Sequence, residues 1–442
     1  MSTDTNSTHS AKDWQDTDIG RVPSDWTVTT LGSIAKVLTD GSHFSPKPTS
    51  DGRYMASIKD MSYSGFDFSQ CKRISEIDYA KLRKAGCCPQ KGDILISKDG
   101  ANCLDIIFVY SHCEEIVVLS SIAILRLHSD YSPRFYNYFL LSPVSQRIMR
   151  NWFISGSAIP RVVLKDFRDV PVPRLPLEEQ EHIAAVLSCL DDKIELLRRQ
   201  NETLEAIAQT IFKEWFVNFN FPDKNGKPYK DSGGKMIDSE LGEIPEGWRV
   251  GKVGDEIDTL GGGTPSTKDS TYWKNGTVAW YSPTDLTSQD TLFSLRTEKR
   301  ITEIGLAKSS AKLFPKYSLL MSSRATIGLI TINTFEACTN QGFIVIVPNK
   351  KLPLEYLHGW LLAQLPEIKQ VAAGSTFPEI SKSVFRAFNI LVPDSRVIDR
   401  FKQTVESIYV KSENNTKQVK TLSELRDTLL PKLMSGQVRV KE

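Results

Sequence analysis

Two loops carry side chains suited to reading a charged, hydrogen-bonding ligand. Thr39-Asp40-Gly41-Ser42-His43-Phe44-Ser45-Pro46-Lys47 and Gly261-Gly262-Gly263-Thr264-Pro265-Ser266-Thr267-Lys268 both mix glycine, hydroxyls and a terminal lysine. Hydroxyls, ammonium groups and backbone N–H groups suit phosphate oxygens; Asp, Asn, Gln, Arg and His suit base edges. Any one of these residues, taken singly, reads as a solvated loop residue.

Patterns for bond-making chemistry are missing. The sequence has no Asn/Asp-Pro-Pro-aromatic loop to hold a target amine, and no Asp/Glu-x-Lys follows Pro222-Asp223 or Pro393-Asp394 as a nuclease metal site needs. It has no phosphate-binding P-loop, nucleophile elbow or His-Glu-x-x-His. Gly261-Gly262-Gly263 lacks dinucleotide-binding spacing. The seven cysteines form no Cys-x-x-Cys pair and the six histidines are dispersed, so reduced thiols are expected and no metal cluster is visible. The chain reads as non-catalytic.

Length and charge set further bounds. The 442 residues suffice for two or three domains, and the net charge of +2 makes the chain a poor stand-alone polyanion binder. Basic surface must be local or completed by a partner. The polar, acidic N-terminus is unlike a signal peptide, and no apolar run approaches a membrane span. A cytoplasmic protein is expected.

The elements that must position the loops are announced by Leu177–Val217. From Ile183, steps of four and three reach Leu187, Leu190, Ile194, Leu197, Asn201, Leu204, Ala208, Ile211 and Trp215, all apolar except Asn201. That is a coiled-coil seam, uninterrupted by Pro or Gly. Adding 218 to each gives Phe401, Val405, Ile408, Ser412, Asn415, Val419, Leu422, Arg426, Leu429 and Leu433. An antiparallel register that sets Ile183 against Leu433 brings Asn201 opposite Asn415, a pair that would fix register at a cost in stability.

The rest of the chain repeats too. Gly20-Arg21-Val22-Pro23-Ser24-Asp25-Trp26 and Gly242-Glu243-Ile244-Pro245-Glu246-Gly247-Trp248 lie 222 residues apart, each after an acidic lead-in. Gly92–Gly100 resembles Tyr317–Ala325, each a buried strand ending in a polar loop. Gly156-Ser157-Ala158-Ile159-Pro160-Arg161 matches Gly374-Ser375-Thr376-Phe377-Pro378-Glu379, and short helices are expected at Phe135–Ser142 and Leu354–Ala363. The fold class is therefore α+β: two mixed α/β domains in pseudo-twofold tandem repeat, separated by two long helices forming an antiparallel coiled coil. The expected division is 1–19 disordered, 20–175 first α/β domain, 176–217 central helix, 218–241 linker, 242–393 second α/β domain, 394–436 C-terminal helix and 437–442 tail.

Leu175-Pro176-Leu177-Glu178-Glu179-Gln180-Glu181-His182-Ile183 resembles the entry to the central helix in specificity subunits of Type I restriction–modification systems. Thr210–Val217 with Phe221-Pro222, Asp238–Trp248 and Leu425–Gly436 are similar to further motifs of that family. Asp394-Ser395-Arg396-Val397-Ile398 departs from the pattern by lacking the Glu-Gln pair, which leaves the partner contact at that end open. The resemblance implies that each domain reads half of a split, asymmetric DNA target. It further implies that the helices set the gap and dock two methyltransferase subunits, and through them two restriction/translocase subunits. S-adenosylmethionine, ATP and Mg would serve the complex, with no cofactor bound by this chain and no membrane role.

On that reading the DNA-binding candidates are Ser42, His43, Lys47, Lys98, Asp99, Ser157 and Arg161 in the first domain. In the second they are Thr264, Ser266, Lys268, Ser323, Arg324, Asn340, Gln341 and Ser375. Asn201 and Asn415 are the register pair. The alternatives are a methylation-only or phase-variable system, a scaffold whose two globules bind protein without a DNA role, and a self-sufficient restriction–methylation enzyme. The missing methyltransferase loop argues against the last.

Overall fold

The computed structural model describes residues 14–63, 65–112, 114–155, 160–287, 289, 291–373 and 378–440. It divides into two compact units, one formed by residues 1–192 with 422–442 and the other by 193–421. The two long helices span Leu177–Phe216 and Ser395–Met434. Each therefore contributes one part to each unit.

In the first unit a four-stranded antiparallel sheet runs in the order Ile107–Val109, Ile94–Ser97, Ile122–Leu127, Ala35–Asp40. Its central strands are continuous apolar runs because both faces are covered. A three-stranded sheet pairs Arg53–Ala56 with Val117–Val118 in parallel and with Lys72–Ile74 antiparallel. Ser132 and Ser142 cap the helices Pro133–Leu141 and Pro143–Trp152, each with Pro at its first position, where a missing N–H costs nothing. The second helix and the true start of the first lie outside the expected Phe135–Ser142.

The second unit repeats this plan. A five-stranded sheet runs Asp258–Gly261, Phe343–Val347, Leu319–Ser322, Ile330–Asn333, Phe293–Ser294. Its three-stranded partner is Lys299–Ile301, Val278–Tyr281, Ala337–Thr339. The helix at Leu354–Ala372 runs nine residues past the expected Ala363, straight through Pro366.

Residues 1–19 were expected to be disordered; 1–13 lie outside the described residues, but Trp14–Thr17 is a strand paired with Gly20–Pro23. Composition misled here because it registers polarity and not strand pairing. Gln15 Nε2 donates to the carbonyls of Pro23 and Trp26, and the Arg21 guanidinium lies 5.8 Å from the Trp14 ring. Met236–Ser239 and Gly242–Pro245 form the matching hairpin of the second unit.

The helix entry motif is explained by its contacts in the first unit. Gln180 is fully buried, accepting from Ser132 N at 2.8 Å and donating to the Leu175 carbonyl at 2.8 Å. Glu179 accepts from Trp26 Nε1 at 3.3 Å and from Arg439, which also pairs with Asp25 at 3.0 Å. Gly436 packs against Pro23 and Trp26, so the chain returns after the second long helix to close the entrance of the first unit. At the other helix entrance Val397 and buried Ile398 occupy the places of Glu179 and Gln180. Asp394 instead accepts from Arg396 N at 2.9 Å.

Within each unit the helix segments run antiparallel. In the second, Asn415 Nδ2 donates to Asn201 Oδ1 at 3.0 Å, and the Trp215 and Phe401 rings lie 5.7 Å apart. Both pairs have the same residue-number sum, as a straight antiparallel register requires. Asn201 Nδ2 also donates to Thr416 Oγ1 at 3.3 Å, while Ser412 Oγ and Asn415 Oδ1 are buried without a partner among the described residues. This polar layer costs stability compared with leucine. In the first unit Arg426 meets Asp191 at 2.8 Å, and Tyr138 donates to the same carboxylate at 2.6 Å. No seam position is fully exposed on either helix.

Candidate nucleic-acid interface

Both candidate loops leave the end of a sheet strand through a glycine pressed against the neighbouring chain. A Cβ on Gly41 would meet the Val118 carbonyl oxygen at 2.0 Å, and one on Gly262 would meet the Asn340 carbonyl oxygen at 2.0 Å. Only glycine permits that approach. Equivalent contacts therefore anchor the two loops on equivalent strands.

In the first unit the loop is organised around Asp40. Ser42 is buried and serves the turn, its hydroxyl donating to the Phe44 carbonyl at 2.6 Å. His43 is exposed with Nε2 3.4 Å from Asp40, and Lys47 is exposed at the loop's end. Lys98 is 2% exposed, its ammonium 3.3 Å from Asp40 and 3.6 Å from Asp99. Lys98 therefore holds the two carboxylates in place and does not itself reach solvent. Arg161 Nε lies 3.2 Å from Asp99, and these two residues also share a backbone bridge. Asp40, Lys98, Asp99 and Arg161 are thus one ion network, with the His43 ring beside it. Asp40, absent from the expected set, links His43 to Lys98.

In the second unit the same scaffold carries different chemistry. Thr264 donates to Gln341 Oε1 at 2.7 Å, and Asn340 Oδ1 accepts from Gly342 N at 2.8 Å. Arg324 Nε sits 3.2 Å from where a Cβ on Gly342 would stand. Ser323 is buried, with its N–H donating to the Gly342 carbonyl at 2.9 Å. Ser266 and Lys268 are exposed. Thr264, Ser323, Arg324, Asn340 and Gln341 converge at one strand end; Ser266 and Lys268 extend along the adjoining loop. Ser157 and Ser375 lie outside the described residues.

The two sites match in backbone and are inverted in charge. Asp99 bridges Arg161 in the first unit, and Arg324 bridges Glu379 in the second. Acid and base exchange strands between the repeats. Glu379, Asp40 and Phe44, which is 66% exposed, were not singled out from sequence. All three lie inside the repeated segments, so aligning the two halves residue by residue was the signal that could have found them. Among the described residues no group of three His, Cys, Asp or Glu side chains is placed to hold a metal ion, and no helix is long and apolar enough to cross a membrane.

A duplicated α/β scaffold with unlike polar loops at equivalent strand ends, each unit built on segments of two long helices, defines a tandem recognition protein. The chain belongs to the type I restriction modification DNA specificity domain family, which it matches over residues 23–206 and 245–423. It is 27% identical over 315 residues to the type I restriction enzyme MjaIX specificity subunit of Methanocaldococcus jannaschii, covering 70% of this chain and 69% of that protein. It is 25% identical to the HindI specificity subunit of Haemophilus influenzae, covering 94% of this chain and all of the relative. Its fold is similar to the crystal structure of a type I restriction–modification S subunit from M. genitalium, with TM-score 0.56, 16% identity, and coverage of 92% of this chain and 96% of that one. The chain is accordingly a non-catalytic DNA-specificity component, with methyltransferase and restriction subunits as its implied partners.

Proposed function

We propose that the two units each read one word of a bipartite, asymmetric double-stranded DNA target. The paired long helices fix the spacing of the words and dock two methyltransferase subunits, through which two restriction subunits join. The complex works in the cytoplasm. The observation that carries this reading is the charge-inverted pair, Asp99/Arg161 against Arg324/Glu379, on otherwise matching backbone. A repeated scaffold that kept its bridge and exchanged its acid and base has conserved geometry and changed donors and acceptors, which is what two different words require. Asn201 and Asn415 hold the helix register, so that one added helical turn would shift a reading site by ~5.4 Å and change the gap.

The test replaces Arg161 or Arg324 by Ala in the assembled methyltransferase complex and maps methylated sites across a genome. Each change should relax one position in one word only, at a cost of about 1–3 kcal/mol for the preferred sequence. Equal weakening at every sequence would reduce both arginines to phosphate contacts. Absence of any salt-dependent duplex affinity in the complex would favour the protein-binding scaffold instead.

A further inference from the structure

Lys72-Arg73-Ile74-Ser75-Glu76-Ile77 recurs as Lys299-Arg300-Ile301-Thr302-Glu303-Ile304, 227 residues later. Lys72–Ile74 and Lys299–Ile301 are each an outer strand of a three-stranded sheet. Each is followed by a helix whose capping hydroxyl, Ser75 or Thr302, accepts a backbone N–H at 3.1 Å. The two lysines thus occupy one scaffold position, and their surroundings differ.

In the first unit the Lys72 ammonium is consumed by its own loop, donating to Ser45 Oγ at 2.7 Å and to the Pro46 carbonyl. Arg73 lies over the Tyr54 ring at 4.2 Å and donates to the Gly52 carbonyl. The neighbouring cleft is neutralised as well, with Arg53 2.9 Å from Glu76 and Arg83 3.6 Å from Glu115. In the second unit the equivalent lysine makes no such contact among the described residues. Among the described residues the exposed ammonium groups of Lys274 and Lys299 make no hydrogen bond or ion pair. Arg300 spends one nitrogen on the Thr277 carbonyl at 2.9 Å.

These three cations line a cleft of about 580 Å³ with Thr267, Ser270 and Trp273, and no carboxylate is among its described lining residues. Trp273 is a fixed wall, its ring edge-on to Trp280 at 5.1 Å and its Nε1 donating to the Ser266 carbonyl at 3.1 Å. Three cations, two hydroxyl side chains and one indole ring lining a single cleft match a sugar-phosphate backbone.

We propose that this cleft grips the phosphodiester backbone of DNA beside the second word, a sequence-independent contact that the first unit lacks. The inference rests on the reading of the chain as a DNA-specificity subunit. Each phosphate neutralised on duplex DNA steepens the fall of log affinity with log salt by about 0.9. Two lysines therefore account for a slope of about 1.8, roughly a tenfold difference in affinity between 50 and 200 mM salt.

The test uses the full chain assembled with its methyltransferase subunits, carrying Lys274→Gln and Lys299→Gln together. Binding to a target duplex and to a scrambled duplex is titrated across salt. The slope should fall by about 1.8 equally for both duplexes, while Lys72→Gln leaves it unchanged. An unaltered slope in the double variant with binding retained overturns the cleft assignment alone, as does a loss confined to the target duplex. Quenching of Trp273 fluorescence by inorganic phosphate without a slope change would mark a small-anion site and also overturn it. If the unmodified complex binds neither duplex, the recognition reading fails and this contact falls with it.

Discussion

Replacing Glu205 by Gln should convert a flat pH profile of second-unit stability into a steep one. Glu205 lies in the first long helix, where burial first and the nearby Glu202 carboxylate second push its pKa from 4.5 up to about 7. His358 lies deep against the second long helix, its Nδ1 2.8 Å from Tyr409 Oη, and burial lowers its pKa from 6.5 to about 4. The signs oppose. A carboxyl raised on folding gives stability that is full below its unfolded pKa and is lost as pH rises through the folded value. A histidine depressed on folding gives stability that is full above its unfolded pKa and is lost as pH falls through the folded value.

At pH 5.5 the folded unit holds the Glu205 proton and not the His358 proton, while the unfolded chain does the reverse. Proton uptake is equal and the slope vanishes. Each shift corresponds to about 3.5 kcal/mol at about 1.4 kcal/mol per pKa unit, reduced for Glu205 by its partial exposure. Glu355, also raised by burial and by Glu406 though opposed by Lys402, tilts the profile on the side of Glu205. Urea melts of the Glu205→Gln chain from pH 4 to 8 should show stability climbing by about 2–3 kcal/mol up to pH 6.5. The variant should exceed the parent by a similar amount at pH 8 and match it near pH 4. A variant profile parallel to that of the parent would refute the reasoning.

Two further outcomes are expected. Asn201→Ala should cost about 1–3 kcal/mol in denaturant melts by stranding the Asn415 amide, whereas Asn201→Leu with Asn415→Leu should raise stability and admit slipped registers, detectable by cross-linking engineered cysteines along the seam. Gly262→Ala should drive a methyl group into the Asn340 carbonyl, displace the Thr264–Lys268 loop and weaken binding to the second half-site while sparing the first; equal affinity for both would count against the loop's role.

The parts legible in the sequence were those written twice. The period of the seam survives in two helices, and because a helix is a local structure, its spacing alone placed Asn201 against Asn415. The motifs around Trp26 and Trp248 were visible as a constant offset, though the hairpins they belong to were not. What escaped depends on contacts between distant segments. Lys98 reads as a loop cation, and only the fold delivers Asp40 and Asp99 to its ammonium and buries all but 2% of the side chain. The helix expected to end at Ala363 passes through Pro366 to Ala372, held by buried Ile368 and Ala372. The Lys-Arg-Ile repeat was in plain view, but its two copies differ in what surrounds them, and surroundings are not a property of spacing.

The return of residues 435–440 to Trp26 and Glu179 has a consequence for biosynthesis. The first unit draws on segments that the ribosome makes more than two hundred residues apart, whereas the second is drawn from one uninterrupted stretch. Although translation proceeds from the N-terminus, the module begun first is the one completed last, waiting with its tryptophan uncovered until Arg439 emerges. Damage near the end of the message would therefore injure the beginning of the protein.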